Sequence, residues 1–245
     1  MNETIYYDLK QVSGLAPSLS TQVAREIGKR VVSGAYPPGH LVEDENALAE
    51  RYQVSRSVIR DAVKILVGKG LLEVRRGIGT RVRPRAKWGL LDDDVMAWSQ
   101  SAPPSAELLH QLMDFRQIFE PKAARLAAER GTDEDHALIK AAIERMEVEK
   151  GSAEDFVIAD AMFHRSILRA TMNEFLMALE GVIFSALLSS IRLTNKDPRD
   201  NEGSIPYHRE VYEAIAARDG EIAERVMENL LKDASHRLGG RISEN

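Results

Sequence analysis

The sequence has no cysteine. That excludes disulfides, thiolate metal sites and cysteine nucleophiles, and it fits a reducing compartment. It also lacks an apolar run able to cross a bilayer. The most apolar window, Phe175 to Ile191, is interrupted by Glu180 and several serines and falls short of the roughly 20 residues a spanning helix needs. That window reads as a buried helix. A glycine-rich phosphate loop and a nucleophile elbow are likewise missing, as is any second acid or base placed for turnover. Met1 to Lys10 is polar and includes Glu3 and Asp8, so it has neither the basic start nor the apolar stretch of a signal peptide. The expectation is a cytoplasmic protein with no membrane partner.

What is present divides the chain. A length of 245 residues with 44% hydrophobic content can bury a full core in one large domain or two smaller ones. Residues 1 to 85 hold 14 Lys and Arg against 9 Asp and Glu, whereas residues 86 to 245 hold 19 against 29. The overall charge of −5 therefore conceals a basic N-terminal piece of net +5 and an acidic remainder of net −10. Positive charge gathered in one compact piece can meet phosphate.

After a tail over 1–18, Val23, Ile27 and Val31 share one helical face, and Gly34 can end that helix. A turn at Tyr36 to Gly39 leads to a short helix over about Glu45 to Tyr52, expected to bury Ala47 and Leu48. A further helix opens with Ser55 as its N-cap. Two short helices across so tight a turn suggest a helix-turn-helix. In the second of them Ile59, Ala62 and Leu66 cluster on one side while Arg56, Arg60 and Lys64 lie on another. Such a cationic face can be a solvated surface or a DNA reader, since a guanidinium fork suits guanine O6 and N7 or phosphate. The sequel favours the reader. Gly68 and Gly70 stop the helix, and Leu71 to Arg75 and Thr80 to Arg83 read as a hairpin turning at Gly77 and Gly79. Arg75 and Arg76 beside Gly77 make its tip a wing that can approach the DNA backbone or a minor groove.

These residues resemble the GntR family: Gly34-x-Tyr36-x-Pro38-Gly39-x-Leu41, Leu48-Ala49, Val54-Ser55-Arg56-x3-Arg60, and the stretch from Gly70-Leu71-Leu72 to Gly77-x-Gly79-Thr80. The match covers about residues 19 to 84. The resemblance implies operator contacts from Arg56 and Arg60 and a wing reaching the minor groove through Arg76 and Gly77. Ser55, Ser57, Lys64 and Arg75 complete the expected surface. A relative has a base-contacting arginine where this chain has Asn46, which can still meet an adenine or a phosphate; the operator sequence does not carry over.

Beyond Pro84, Trp88 and Trp98 are expected as packing anchors, and Asp92 to Asp94 as a helix start with acidic residues at the positive end of the dipole. The pattern Trp88-x2-Leu91-Asp92-x-Asp94-Val95-x2-Trp98 is similar to the linker of sugar-acid operon repressors. From Ala106 onward the period is helical, with about six helices broken near Gly131, Gly151, Asn173, Pro198 to Gly203 and Asp219-Gly220. Phe115-Arg116-x3-Glu120-x2-Ala123-Ala124, Asp160-x2-Phe163-His164 and His208-x6-Ile215 resemble the effector domain of the FadR branch of that family, the FCD domain.

Asp160 and His164, one helical turn apart, can hold a metal together or form an ion pair, and His208 could add a third ligand. Two histidines and a carboxylate suit zinc, nickel, iron or manganese. The resemblance implies an aspartate and three histidines, but the last falls at Leu230, which cannot ligate. His236 lies almost two turns later and is expected at the surface, not as a substitute. Arg116 shares a stripe with Leu112, Glu120 and Ala123 and should point inward, either paired structurally with Glu120 or gripping an effector carboxylate. The expected effector-binding set is Arg116 with Glu120, and Arg192 with Asn195 nearby as a second candidate.

The expected fold is mainly α: a winged helix-turn-helix over 19–85, a linker with a short helix over 86–104, and an all-helical effector-binding and dimerisation domain over 105–240. The expected function is a homodimeric regulator, more readily a repressor than an activator, that binds double-stranded operator DNA under control of a small carboxylate such as galactonate. Two rivals stand beside it. One is a metal-dependent enzyme using two histidines and a carboxylate, disfavoured by the absence of strands there. The other is an effectorless DNA-binding dimer.

Overall fold

A computed structural model describes residues 17–101, 103–194 and 199–243, the side chains of 190–194, 199–201 and 240–243 apart. Most of the expected N-terminal tail, and Asn195, therefore lie outside the described residues. The chain forms two compact units, Met1–Ala102 and Pro103–Asn245.

In the first unit, helix α1 (Leu19–Val32) starts at Ser18, whose side chain accepts from the Thr21 amide. It buries Val23, Ile27 and Val31 together with Ala24 and Gly28. Helix α2 (Glu45–Tyr52) is capped by Asp44, and a left-handed Gln53 turns the chain into α3 (Arg56–Gly68), capped by Ser55. Of the two residues expected to be buried in α2, only Leu48 is; Ala47 is exposed. The helix has two turns, and a residue about 100° from Leu48 on the N-terminal side already faces away from the core. Tyr36 fastens the preceding turn. Its hydroxyl donates to Glu43 Oε2 at 2.9 Å and accepts from Arg30 at 3.2 Å and Arg51 at 3.1 Å. Strands β1 (Leu72–Arg75) and β2 (Gly79–Val82) pair antiparallel, Leu72 opposite Val82 and Arg75 opposite Gly79. Gly77 and Gly79 take φ of 78° and 116°, which the tight turn requires.

The segment read as a linker packs on this unit. Helix α4 (Asp93–Ser99) buries Trp98 to 1% exposure. A Cβ at Gly28 would stand 2.3 Å from the Trp98 ring, so only glycine admits the indole there. Lys69 Nζ reaches Asp92 Oδ1 and Asp94 Oδ2, each at 2.7 Å, and Asp92 also caps α4 by accepting from the Val95 amide. The compact unit runs to Ala102 and so takes in most of the segment expected as a linker with a short helix over 86–104.

The second unit holds α5 (Ala106–Arg130), α6 (Asp133–Glu149), α7 (Ala153–Ala170), α8 (Glu174–Met177), α9 (Glu180–Thr194), α10 (Arg199–Ala216) and α11 (Gly220–Ser243). Caps at Ser105, Thr132, Ser152 and Asn173 satisfy amides at the starts of the first four. Two details differ from the expectation. The single long helix anticipated from Glu174 is split, because α8 ends after one turn and the chain re-enters a helix at Glu180, whose carboxylate meets Arg165 Nε at 3.1 Å. The break anticipated up to Gly203 is shorter, since α10 already begins at Arg199. Phe163, Phe184, Ile139 and Leu231 lie in the core. Among the described residues no helix is long and apolar enough to cross a membrane.

Candidate DNA-reading surface and buried polar cluster

All the residues expected to meet DNA are exposed in the first unit. Asn46 stands in the first turn of α2, Ser55 and Ser57 at the start of α3, Arg56, Arg60 and Lys64 along it, and Arg75, Arg76 and Gly77 at the hairpin tip. The core face of α3 buries Ile59, Ala62, Val63 and Leu66, and this burial turns the cationic stripe outward. Arg60 Nε donates to Glu45 Oε2 at 2.8 Å, and Arg56 Nη2 lies 3.7 Å from the same oxygen. Lys64 pairs with Asp61 at 3.0 Å. Glu45 is a functional candidate that periodicity alone passes over, because its partners lie on the next helix.

The second unit draws together residues far apart in sequence. Arg116 and Glu120 on α5, Asp160 and His164 on α7, and His208 on α10 are all buried, Arg116 to 3% exposure and Asp160 to 9%. Arg116 Nε donates to Glu120 Oε1 at 2.5 Å, and Arg116 Nη2 lies 3.1 Å from His164 Nε2. Glu120 Oε2 sits 2.5 Å from His164 Nδ1, close in distance but without the alignment of a hydrogen bond. Asp160 Oδ1 lies 3.2 Å from His164 Nε2 and 3.0 Å from His208 Nε2, and His208 Nδ1 lies 2.8 Å from the Ser204 carbonyl. Phe163 packs edge-on to both imidazoles at centroid distances of 5.3 and 5.0 Å.

The electrostatics follow from burial opposed by pairing. Burial acts to raise the Glu120 carboxyl, but the Arg116 and His164 charges outweigh it and bring its pKa down to about 2. Asp160 is driven well below the usual carboxylate range in the same way, with hydrogen bonds from His164 and His208 overcoming desolvation. His164 is raised against its own burial, chiefly by Glu120.

The donor set fits a divalent ion. The ligand atoms of Asp160, His164 and His208 lie within 4.8 Å of one another. Ligand atoms about 2.1 Å from an octahedral ion stand roughly 3 Å apart, close to the two Asp160–histidine distances. A metal-binding histidine usually donates its other N–H to a carboxylate or backbone carbonyl, which orients the ring. His208 faces the Ser204 carbonyl in that way, and His164 has Glu120 beside its Nδ1. Leu230, buried at 2% exposure, offers no ligand atom. The Arg192 side chain and Asn195 lie outside the described residues.

A basic winged helix-turn-helix joined to a helical unit built around a buried carboxylate–histidine cluster defines a transcription regulator of the kind that reads DNA with one unit. Sequence comparison gives the family. Residues 19–82 match the gntR family of bacterial regulatory proteins and residues 111–233 match the FCD domain. The chain belongs to the GntR family, in its FCD-bearing, FadR-type branch. Relatives include the galactonate operon transcriptional repressor of Escherichia coli K12, 31% identical over 214 residues that cover 86% of this chain and 93% of that one. The transcriptional regulator LutR of Bacillus subtilis 168 is 31% identical over 220 residues, covering 88% and 99%. The Glc operon transcriptional activator of E. coli K12 is 25% identical over 225 residues, covering 88% and 87%. In three dimensions the fold is shared with Lar of Listeria monocytogenes, at a TM-score of 0.66 and 19% identity over 92% of this chain and 99% of that one.

Proposed function

We propose that the protein is a homodimeric repressor whose first unit binds operator DNA through Asn46, Ser55, Arg56, Ser57, Arg60, Lys64 and the Arg75–Gly77 wing, and whose second unit releases it on binding a small carboxylate of the sugar-acid class, such as galactonate. The observation that carries the ligand half is Arg116. It is a permanently charged fork, buried beside three atoms suited to a metal, and a bidentate carboxylate is its natural partner. The galactonate operon relative supports the sugar-acid class and the repressing sign; a reporter assay separates repression from the activation named for the Glc relative.

Asp160, His164 and His208 would hold zinc, nickel or manganese, which supplies open coordination positions for a carboxylate and a neighbouring hydroxyl. Glu120 we assign to positioning instead of effector contact. Both of its oxygens accept from Arg116, one of them also lies against His164, and its charge repels an anionic ligand. Because the cluster is closed over, a ligand reaching it must separate Arg116 from His164 or part the helices. That differential contact is what allows binding to shift a population between two arrangements of the dimer. Thermal unfolding of the tag-free protein against aldonates, short hydroxy acids and acyl-CoA compounds, with and without Mn²⁺, tests the proposal: a ligand bound only by the folded state raises the midpoint. A rise with a sugar acid supports it, and no rise across the panel favours the effectorless dimer. Metal content that stays equal after replacing both His164 and His208 would remove the metal.

A further inference from the structure

In the uncomplexed protein a single acidic side chain sits on the two arginines expected to read DNA. Asp44 caps α2, its Oδ1 accepting from the amides of Asn46 and Ala47 at 2.8 and 3.0 Å. The capping is thus done without Glu45, whose side chain turns across to α3. There its Oε2 lies 2.8 Å from Arg60 Nε and 3.7 Å from Arg56 Nη2. Side-chain exposures of 40% for Glu45, 59% for Arg56 and 55% for Arg60 put all three at the surface that would face a duplex. A pair so exposed adds little to stability, so a stabilising role does not account for the contact. Its chemistry does suit recognition. A guanidinium held through Nε keeps its Nη1–Nη2 edge, the fork that matches guanine O6 and N7. A carboxylate in the same place repels phosphate and can accept only from a donor such as cytosine N4.

We infer that Glu45 is a specificity-determining positioning residue: it orients Arg60, and more loosely Arg56, for base edges while opposing their use as general phosphate clamps. The inference rests on the operator-binding reading and extends it. Non-specific affinity comes from neutralised phosphates, whereas discrimination comes from base edges. Removing the charge while keeping the shape should therefore strengthen binding to any duplex and weaken discrimination between duplexes, doubly so in a dimer.

The test uses the full-length protein. Wild type first selects its preferred duplex from a random pool; that duplex and a scrambled one are then titrated with wild type, Glu45→Gln, Arg60→Ala and the double variant over a series of salt concentrations. The expected result for Glu45→Gln is a severalfold gain on the scrambled duplex, a specificity ratio lower by about tenfold or more, a steeper salt dependence by about one phosphate equivalent per half-site, and an unchanged melting temperature. In the Arg60→Ala background the same change should move the ratio much less. An unchanged ratio overturns the inference, as does loss of affinity for both duplexes with a lowered melting temperature, which would mark Glu45 as merely structural. If wild type selects no sequence at all, the operator-binding reading itself fails, an outcome distinct from either.

Discussion

The two units place their charge in opposite ways. In the first, the arginines that matter are on the outside, more than half exposed and sharing one carboxylate, that of Glu45, itself 40% exposed. In the second, an arginine, two acids and two histidines are enclosed, each at 9% exposure or less. Exposed charges are cheap to keep and easy to exchange for a ligand's charges; buried ones are stable only as a complete set, because a charge left unpaired in the interior is costly. The first arrangement suits a surface that must meet and leave DNA. The second suits a switch that is closed until a ligand of matching charge completes it differently.

That contrast predicts a division between stability and binding. The largest effect should come from the interior: Glu120→Ala leaves Arg116 without its anionic partner and should cost about 3–5 kcal/mol of unfolding free energy, read by urea denaturation of the metal-free protein. A cost under about 1 kcal/mol would mean that the cluster is not a coupled set. Next comes the seam between α1 and α4. Gly28→Ala drives a methyl group into the Trp98 ring and should cost about 1–3 kcal/mol by overpacking, with a matching fall in the melting temperature. Arg60→Ala should do the converse, losing about 1–3 kcal/mol of operator binding, base-specifically, while the unfolding midpoint moves by less than the equivalent of about 0.5 kcal/mol. The smallest effect belongs to Lys64, paired on the surface with Asp61. Lys64→Ala should weaken selected and scrambled duplexes alike and lower the salt slope by about one per half-site. A base-specific loss there would move Lys64 from the phosphate to the base-reading group.

The same contrast explains what could be read from the sequence. The first unit announces itself locally: the amphipathic α3, the Ser55 cap and the glycine-turned hairpin are each set by neighbours a few residues away, so their periodicity and turn chemistry survive as pattern. The pairing of Glu45 with Arg60 does not, since it spans two helices. In the second unit, spacing puts Asp160 and His164 on one face and Arg116 near Glu120, both i to i+4 relations. The meeting of α5, α7 and α10 that brings His208 to Asp160 and Glu120 to His164 is tertiary; residue chemistry offered His208 as a third ligand and the family resemblance supported it, but neither placed Glu120 against His164. Glu120 was accordingly anticipated as an effector contact or a partner for Arg116, and its place against His164 emerged from packing. The packing of α4 on the first unit was hidden for the same reason: Gly28 reads as an ordinary helix interior until the Trp98 ring is seen above it.

The measurement that bears most directly on the account is the affinity of the tag-free protein for its selected duplex with and without galactonate, in the presence of Mn²⁺. Coupling between an effector site and a second site typically amounts to roughly 5–150-fold, and a weakening of operator binding in that range is the predicted result. Affinity unchanged at saturating galactonate, and across the wider set of sugar acids, would contradict control of the DNA-reading surface by a carboxylate in the buried cluster.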